Sequence, residues 1–502
     1  MTLATEMPIL DLKDVITPRM LEAAARPVVV VRDEEMYRRV AQSHAFMRSS
    51  LSSGQEVYGA TTGFGPLVTF GGRGSEEGQC DNALQHLTAG QGPELAREVV
   101  RAAMLVRTWS LSRGLSGLSP AALDMLCAAL ETDFTPVVPS LGSVGASGDL
   151  IPLAHIAQSL RGVGEAEVGG VRMGAAEALA AAGLRPLVFS GRDGLSMVNG
   201  TSVTSAAAGL AVASLRRSFE AGLLLTALMV DLLGAEPAFL MPQLLQAYGH
   251  PETVMVGAVL RECLEGVRPS GDRPLQEPYS IRCVPQLMGA ARSALDWAAL
   301  VVERDLNGVS DNPLFFPGDG AVGHGGNFFG QPVAFAADML AITATQMGNL
   351  AERQLDLLVD PVRSSGLPPM LASQPGVQHA VQGVQIASTA IVAAMRRSCV
   401  PASIQSLPTN LHNQDVVPFG TQAALTALEQ ARNLRLLHGS LAVALRQAAH
   451  LRPQGAHAPR CAELLAALAE RIAPIDEDRP LHSDVRAAAD VLDRFVDGKV
   501  SR

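Results

Sequence analysis

The chain has 502 residues, 48% hydrophobic and only 18% charged, too apolar for a disordered protein and long enough for two or three domains or one large helical body. Its net charge is −10 and nothing basic clusters, which argues against a nucleic-acid partner. The six cysteines, Cys80, Cys127, Cys263, Cys283, Cys399 and Cys461, stand at least 20 residues apart; with no CxxC pair they read as buried small hydrophobes in a reducing compartment, and no metal is expected.

Along the chain, M-T-L-A-T-E-M-P at the start lacks a basic region followed by an apolar core, so no secretory leader is expected. Pro27 to Arg32 (P-V-V-V-V-R) gives one of few strand signals, the other lying near Val168 to Arg172. Gly63 to Gly78 is a long glycine-rich connection of the kind that forms lids. Helical patterns cover Glu94 to Ser112, Ser119 to Glu131, Thr201 to Leu233, Gln286 to Asp305, Pro332 to Leu358, Val377 to Ser398 and Thr421 to His450. The most apolar stretch, Ala221 to Val230, is ten residues between Glu220 and Asp231, a core helix too short to span a membrane. Further glycine- and proline-rich joints fall at Pro136 to Gly148, Arg268 to Pro278, Phe316 to Gly326, Gly366 to Gly376 and Arg452 to Pro459. These signals predict an all-α (mainly α) fold: an N-terminal domain over 1–200 and a long helical bundle over 201–502, in the cytoplasm. The surplus of apolar surface favours an oligomer.

The segment S-L-G-S-V-G-A-S-G-D-L-I-P-L-A-H, Ser140 to His155, sets small residues around one serine. As local structure it is a loop feeding a helix over Leu150 to Leu160, with Ser147 or Asp149 as N-cap and Pro152 in the first turn. A nucleophile elbow is only weakly supported, because G-x-S-x-G needs glycine where Asp149 stands. Four more polar, glycine-marked stretches separate the apolar helices. They are Y-G-A-T-T-G-F-G at Tyr58, M-V-N-G-T-S at Asn199, D-N-P-L-F-F with G-H-G-G-N-F-F-G-Q over Asp311 to Gln331, and T-N-L-H-N-Q-D over Thr409 to Asp415. Tyr279, in Y-S-I-R-C-V-P-Q, adds a tyrosine beside an arginine. Each could be a turn or a cap; together they could converge on one pocket at the ends of a bundle.

In order, from about residue 56 to 420, these motifs resemble the aromatic amino acid ammonia-lyases and aminomutases. The resemblance implies that Ala146, Ser147 and Gly148 cyclise with loss of two waters into a 4-methylidene-imidazol-5-one, an electrophile the twenty side chains do not supply, with no dissociable cofactor. Gly148 suits that step because it lacks a Cβ. The implied reaction removes the amine and a β-proton from an aromatic amino acid to leave a trans-α,β-unsaturated acid.

By the same resemblance Tyr58 is the base, although a free phenol has a pKa near 10. Tyr279 and Asn199 flank the electrophile, and Arg282 pairs with the substrate carboxylate. Gly65, Leu150, Gln286, Asn312 and Phe328 line the site. His86 and Leu87 face the substrate ring, like the His-Leu pair of tyrosine-specific members; phenylalanine enzymes tend to Phe-Leu and histidine enzymes to Ser-His. Asn410, Asn413 and Gln414 match the tyrosine type, whereas histidine enzymes carry a glutamate where Gln414 stands. The implied protein is a homotetramer whose sites are shared between subunits, with Tyr58, the Ser147 loop and the Tyr279/Arg282 segment coming from different chains. It acts on L-tyrosine to give p-coumarate and ammonia; a tyrosine 2,3-aminomutase, or a lyase for phenylalanine or histidine, is the alternative. The glycine run Gly71-Gly72-Arg73-Gly74 suggests a loose lid and favours the lyase.

Three departures stand out: Gln79-Cys80 where relatives usually have Leu-Gln, Asp305 in place of a glutamate, and Phe329 at a variable spot. The first two are not expected to touch the chemistry directly. A fumarase-type lyase is disfavoured, because its G-S-x-x-M-P-x-K-x-N loop is missing. A non-catalytic relative remains the plain alternative, and it would lack the two-water deficit in its mass.

Overall fold

The computed structural model describes residues 7–452 and 457–500. Positions 453–456 of the expected Arg452–Pro459 joint, and the M-T-L-A-T-E portion of the N-terminus, lie outside the described residues. The chain is mainly α, with eighteen α-helices and nine short strands among the described residues. Two compact units divide it: Met1–Ala211, Ala298–Asp338 and Pro401–Leu425 form the first, Val212–Trp297, Met339–Val400 and Thr426–Arg502 the second.

The seven expected helices lie close to the sequence pattern, while Glu34–Ser52 and His482–Val500 are helices outside it; capping residues explain several starts. Ser119 precedes Pro120–Glu131 and accepts from the Ala122 N–H; Asp33 does the same for Glu34–Ser52, and Ser75 for Glu76–Leu87. The helix expected from Glu94 begins at Arg97, because Gln91–Glu94 pairs as a strand with Pro139–Leu141. The other strands are two- or three-residue pairs and one three-stranded sheet built on Thr135–Pro136, Glu165–Val168 and Val171–Gly174.

Buried charge organises the first unit. Arg101 is fully buried and donates to the carbonyls of Ala24, Arg26, Leu130 and Phe134 at 2.6–3.1 Å. Arg192 and Asp311, both fully buried, form a two-pronged pair with 2.8 Å bonds. Removing one partner of such a pair costs roughly 3–5 kcal/mol, because the other is left charged and unpaired. Met47, Val57 and Phe315 form a small apolar cluster, which anchors the chain immediately before Tyr58.

In the second unit the Gln382–Ser398 helix starts later than the pattern suggests. The Asp478 carboxylate accepts from the N–H groups of His379 and Ala380 (2.9–3.1 Å) and holds that stretch outside the helix. His438 is buried with no partner for Nδ1, and burial pushes its pKa down to about 4. Trp297, Met339, Ile342 and Ile386 are exposed in the single chain, between 37% and 65%. Among the described residues no helix is long and apolar enough to cross a membrane.

Candidate active site

Asp149 fixes the Gly142–Asp149 loop. Its N–H donates to the Gly200 carbonyl at 2.7 Å. Its buried carboxylate accepts from the hydroxyls of Ser143 (2.9 Å), Thr204 (2.8 Å) and Thr421 (2.6 Å), and from the N–H groups of Val203 (2.9 Å) and Thr204 (2.8 Å). Those two N–H groups open the helix Ser202–Leu233, where a carboxylate satisfies orphan donors and meets the positive end of the helix. Asp149 does occupy the N-cap position of Leu150–Leu160, but its side chain makes no cap bond there. It serves the other helix, whose first donors are buried and costly to leave unpaired.

The tripeptide itself is folded back tightly. Bridge pairings join Gly145 to Gly148 and Ala146 to Gly148. Gly148 has φ +70°, and a Cβ there would collide with the Gly200 carbonyl. The turn is tied from outside by Gly330 N–H to Gly145 O (3.2 Å), Phe419 N–H to Val144 O (3.0 Å) and the Gln422 amide to Ser143 O (2.8 Å). Ser147 stays partly accessible, and the Gln414 amide donates to its hydroxyl at 2.9 Å.

Ser147 and Gly148 open onto a cavity of about 970 Å³. Tyr58, Gly65, His86, Leu87, Leu150, Asn199, Asn312, Phe328, Asn410, Asn413 and Gln414 also line it. Ala146 lies directly behind, buried. The structure therefore brings together the sequence-predicted residues of the first unit, and it places Tyr58 and the Ser147 loop of one and the same chain on one cavity, where the resemblance implies different chains. Tyr279, Arg282 and Gln286 belong to the second unit and are not among the lining residues. There the Arg282 guanidinium lies 4.7 Å from the centre of the Tyr279 ring, while Arg282 Nε and Gln286 Oε1 are buried without partners.

Asn199 is held by its own carbonyl, which accepts from Arg107 at 3.1 Å, and by its amide, which donates to the Asn312 carbonyl at 2.8 Å; its Oδ1 is buried and unpartnered. Arg107 also donates to the Ser196 and Ser310 carbonyls, and its burial lowers its pKa to about 10, so it stays charged at neutral pH. The sequence reading passed over Arg107; an arginine inside so apolar a helix was the available signal.

Tyr58 OH accepts from the Gly65 N–H at 2.8 Å, which folds the glycine-rich loop toward it. His86 Nδ1 sits 2.5 Å from the Asn82 carbonyl, and its ring lies 5.5 Å from that of Phe64. The cavity lining holds no carboxylate among the described residues, and its one permanent charge is Arg73. Gln79, one of the departures noted in the sequence, is buried. Asp305 is half-buried, its carboxylate accepting from Thr201 at 2.8 Å and from Ser205; desolvation raises its pKa.

The sequence profile of the family described as "Aromatic amino acid lyase" matches residues 16–470. A histidine ammonia-lyase of Symbiobacterium thermophilum is 38% identical over 95% of this chain and 94% of that protein. A tyrosine ammonia-lyase of Cupriavidus metallidurans is 37% identical over 95% and 94%. Among solved structures, a tyrosine aminomutase from Streptomyces globisporus superposes with a TM-score of 0.90 at 29% identity, covering 97% of each chain. A histidine ammonia-lyase from Trypanosoma cruzi gives 0.90 at 27% identity, covering 98% of this chain and 95% of that one.

Proposed function

The chain belongs to the aromatic amino acid lyase family, and from that premise we propose that it eliminates ammonia from L-tyrosine to give trans-p-coumarate. The observation that carries the choice of substrate is the hydrogen bond between His86 Nδ1 and the Asn82 carbonyl. The Asn82 carbonyl can only accept, so Nδ1 is the donor of that bond, and in this tautomer Nε2 is the acceptor. A phenol hydroxyl donates to such a nitrogen; the phenylalanine ring has nothing to donate. The lack of a carboxylate in the lining, with Gln414 in place of a glutamate, disfavours an imidazolium-bearing substrate.

The Ala146–Gly148 turn fits the cyclised group. It is compressed, its third residue cannot carry a side chain, and Asp149 clamps it rigidly. When formed, that group supplies an electrophilic carbon. The chain's own residues do the rest. Tyr58 takes the β-proton, its hydroxyl oriented by the Gly65 N–H. Asn199 Oδ1 offers a buried acceptor to the substrate's nitrogen. Arg282, whose Nε has no partner in the single chain, grips the carboxylate, with Gln286 beside it. The working enzyme is a homotetramer in which Tyr279 and Arg282 reach the cavity from another subunit; the exposed Trp297, Met339, Ile342 and Ile386 are apolar surface suited to burial on assembly.

The test is chromatography of the products formed from L-tyrosine, separating p-coumarate from β-tyrosine, with the intact mass of the protein. Dominant p-coumarate supports the reading. Accumulating β-tyrosine favours the second reading, a tyrosine 2,3-aminomutase, which gains weight from a lid tied more firmly than its glycine content suggests. Two waters lost from the mass with neither product formed would mean that the ring pocket takes another amino acid.

A further inference from the structure

Gln79 is 2% exposed and stands in the first turns of Glu76–Leu87, directly after the glycine-rich loop. Its amide nitrogen donates to the Gly59 carbonyl (3.2 Å) and the Thr62 carbonyl (2.9 Å), on the incoming arm of the loop. Its amide oxygen accepts from the Arg73 N–H (2.8 Å), on the outgoing arm. The arms are also joined directly, by Gly63 N–H to Phe70 O (2.8 Å) and Gly72 N–H to Thr61 O (3.1 Å). A Cβ on Gly72 would press on the Gln79 amide at 3.0 Å, so the two positions fit only as a pair.

We propose that Gln79 is a positioning residue that staples both arms of the lid, so that residues 59–73, with Tyr58 at their base, close over the cavity as one body. All three bonds come from one buried amide, so losing it removes the side-chain link to both arms at once, leaving only the two direct backbone bonds between them, and three backbone groups, the buried Gly59 carbonyl among them, must find other partners. The proposal rests on residues 63–78 acting as a lid over the proposed site; it does not depend on which amino acid is the substrate.

Arg73 makes the test direct, because it is the only tryptic site between Arg48 and Arg97. Brief trypsin treatment of the native full-length protein is compared for wild type and Gln79→Met, which keeps the length and loses the bonds. The variant is expected to be cut after Arg73 about tenfold faster, the size of one or two net hydrogen bonds. Its thermal midpoint should stay near that of wild type, and saturating substrate or product should restore protection. KM should rise as the closed fraction falls, while kcat stays within about twofold. Gln79→Glu, which keeps only the acceptor for Arg73, should fall between the two. Equal cutting of wild type and Gln79→Met, or a lowered kcat with KM unchanged, would overturn the proposal. If the variants do not fold, hydrogen exchange on wild type, read by mass spectrometry with fragmentation, decides it. The Arg73 amide should be protected alongside Gly63 and Gly72, and exchange as fast as an unbonded amide sinks the staple. Neither trypsin nor exchange needs a substrate. A protein that shows the staple but not tyrosine turnover would refute the substrate assignment alone.

Discussion

The His86 ring donates to the Asn82 carbonyl through Nδ1, so replacing it with phenylalanine removes the Nε2 acceptor and keeps most of the volume. His86→Phe is expected to shift the ratio of kcat/KM for tyrosine over phenylalanine toward phenylalanine by about 10²-fold or more, since sites built to bond a hydroxyl discriminate strongly. Measuring both substrates on both proteins checks it, and an unchanged ratio would remove His86 from the ring pocket. At this scale much of the site was legible. Thirteen of the expected residues line one cavity, because their motifs are short and each type suits its local task. The partners of those residues were not legible. Asp149 meets Val203 across 54 positions and Thr421 across 272, and nothing within ten residues of Asp149 announces either.

Among the elements, the most apolar long helices were readable because their patterns run for many turns, and errors in them gathered at the ends; the more polar 19-residue helices Glu34–Ser52 and His482–Val500 were not among the expected ones. Those ends depend on distant groups, such as the Asp478 carboxylate at His379 and Ala380. The 32-residue helix Gly420–Leu451 carries one further consequence. It buries His438 neutral, with a pKa near 4 against an unfolded value of about 6.5. Below 6.5 the unfolded chain takes up a proton that the folded one refuses. The contribution is therefore intact above about 6.5 and is lost as pH falls toward 4, at no more than about 1.4 kcal/mol per pH unit. Thermal midpoints of wild type should drop more steeply between pH 6.5 and 4.5 than those of His438→Met. Parallel profiles would show that His438 titrates alike in both states.

For the whole molecule, mainly helical architecture followed from composition and periodicity, whereas the chain's repeated returns to each unit carry no local signature. Assembly has its own test. Tyr58→Phe and Arg282→Met should each be nearly inactive, and neither touches the other's step. Refolding or coexpressing them together should restore activity to about a quarter of sites if Tyr58 and Arg282 come from different subunits. Light scattering should give about four times the 52.6 kDa chain. Activity that never returns in mixtures would place both residues on the same chain in each site.

The helix Glu76–Leu87 holds Gln79 near its start and His86 and Leu87 at its end. His86 follows Gln79 by seven positions of helix, about two turns, so both lie on nearly the same side. If both proposals hold, lid closure and ring choice are written into twelve consecutive residues. In descent, one short recombined stretch could transfer both traits between related genes at once, whereas separate point changes would pass through intermediates with a new pocket under an old lid.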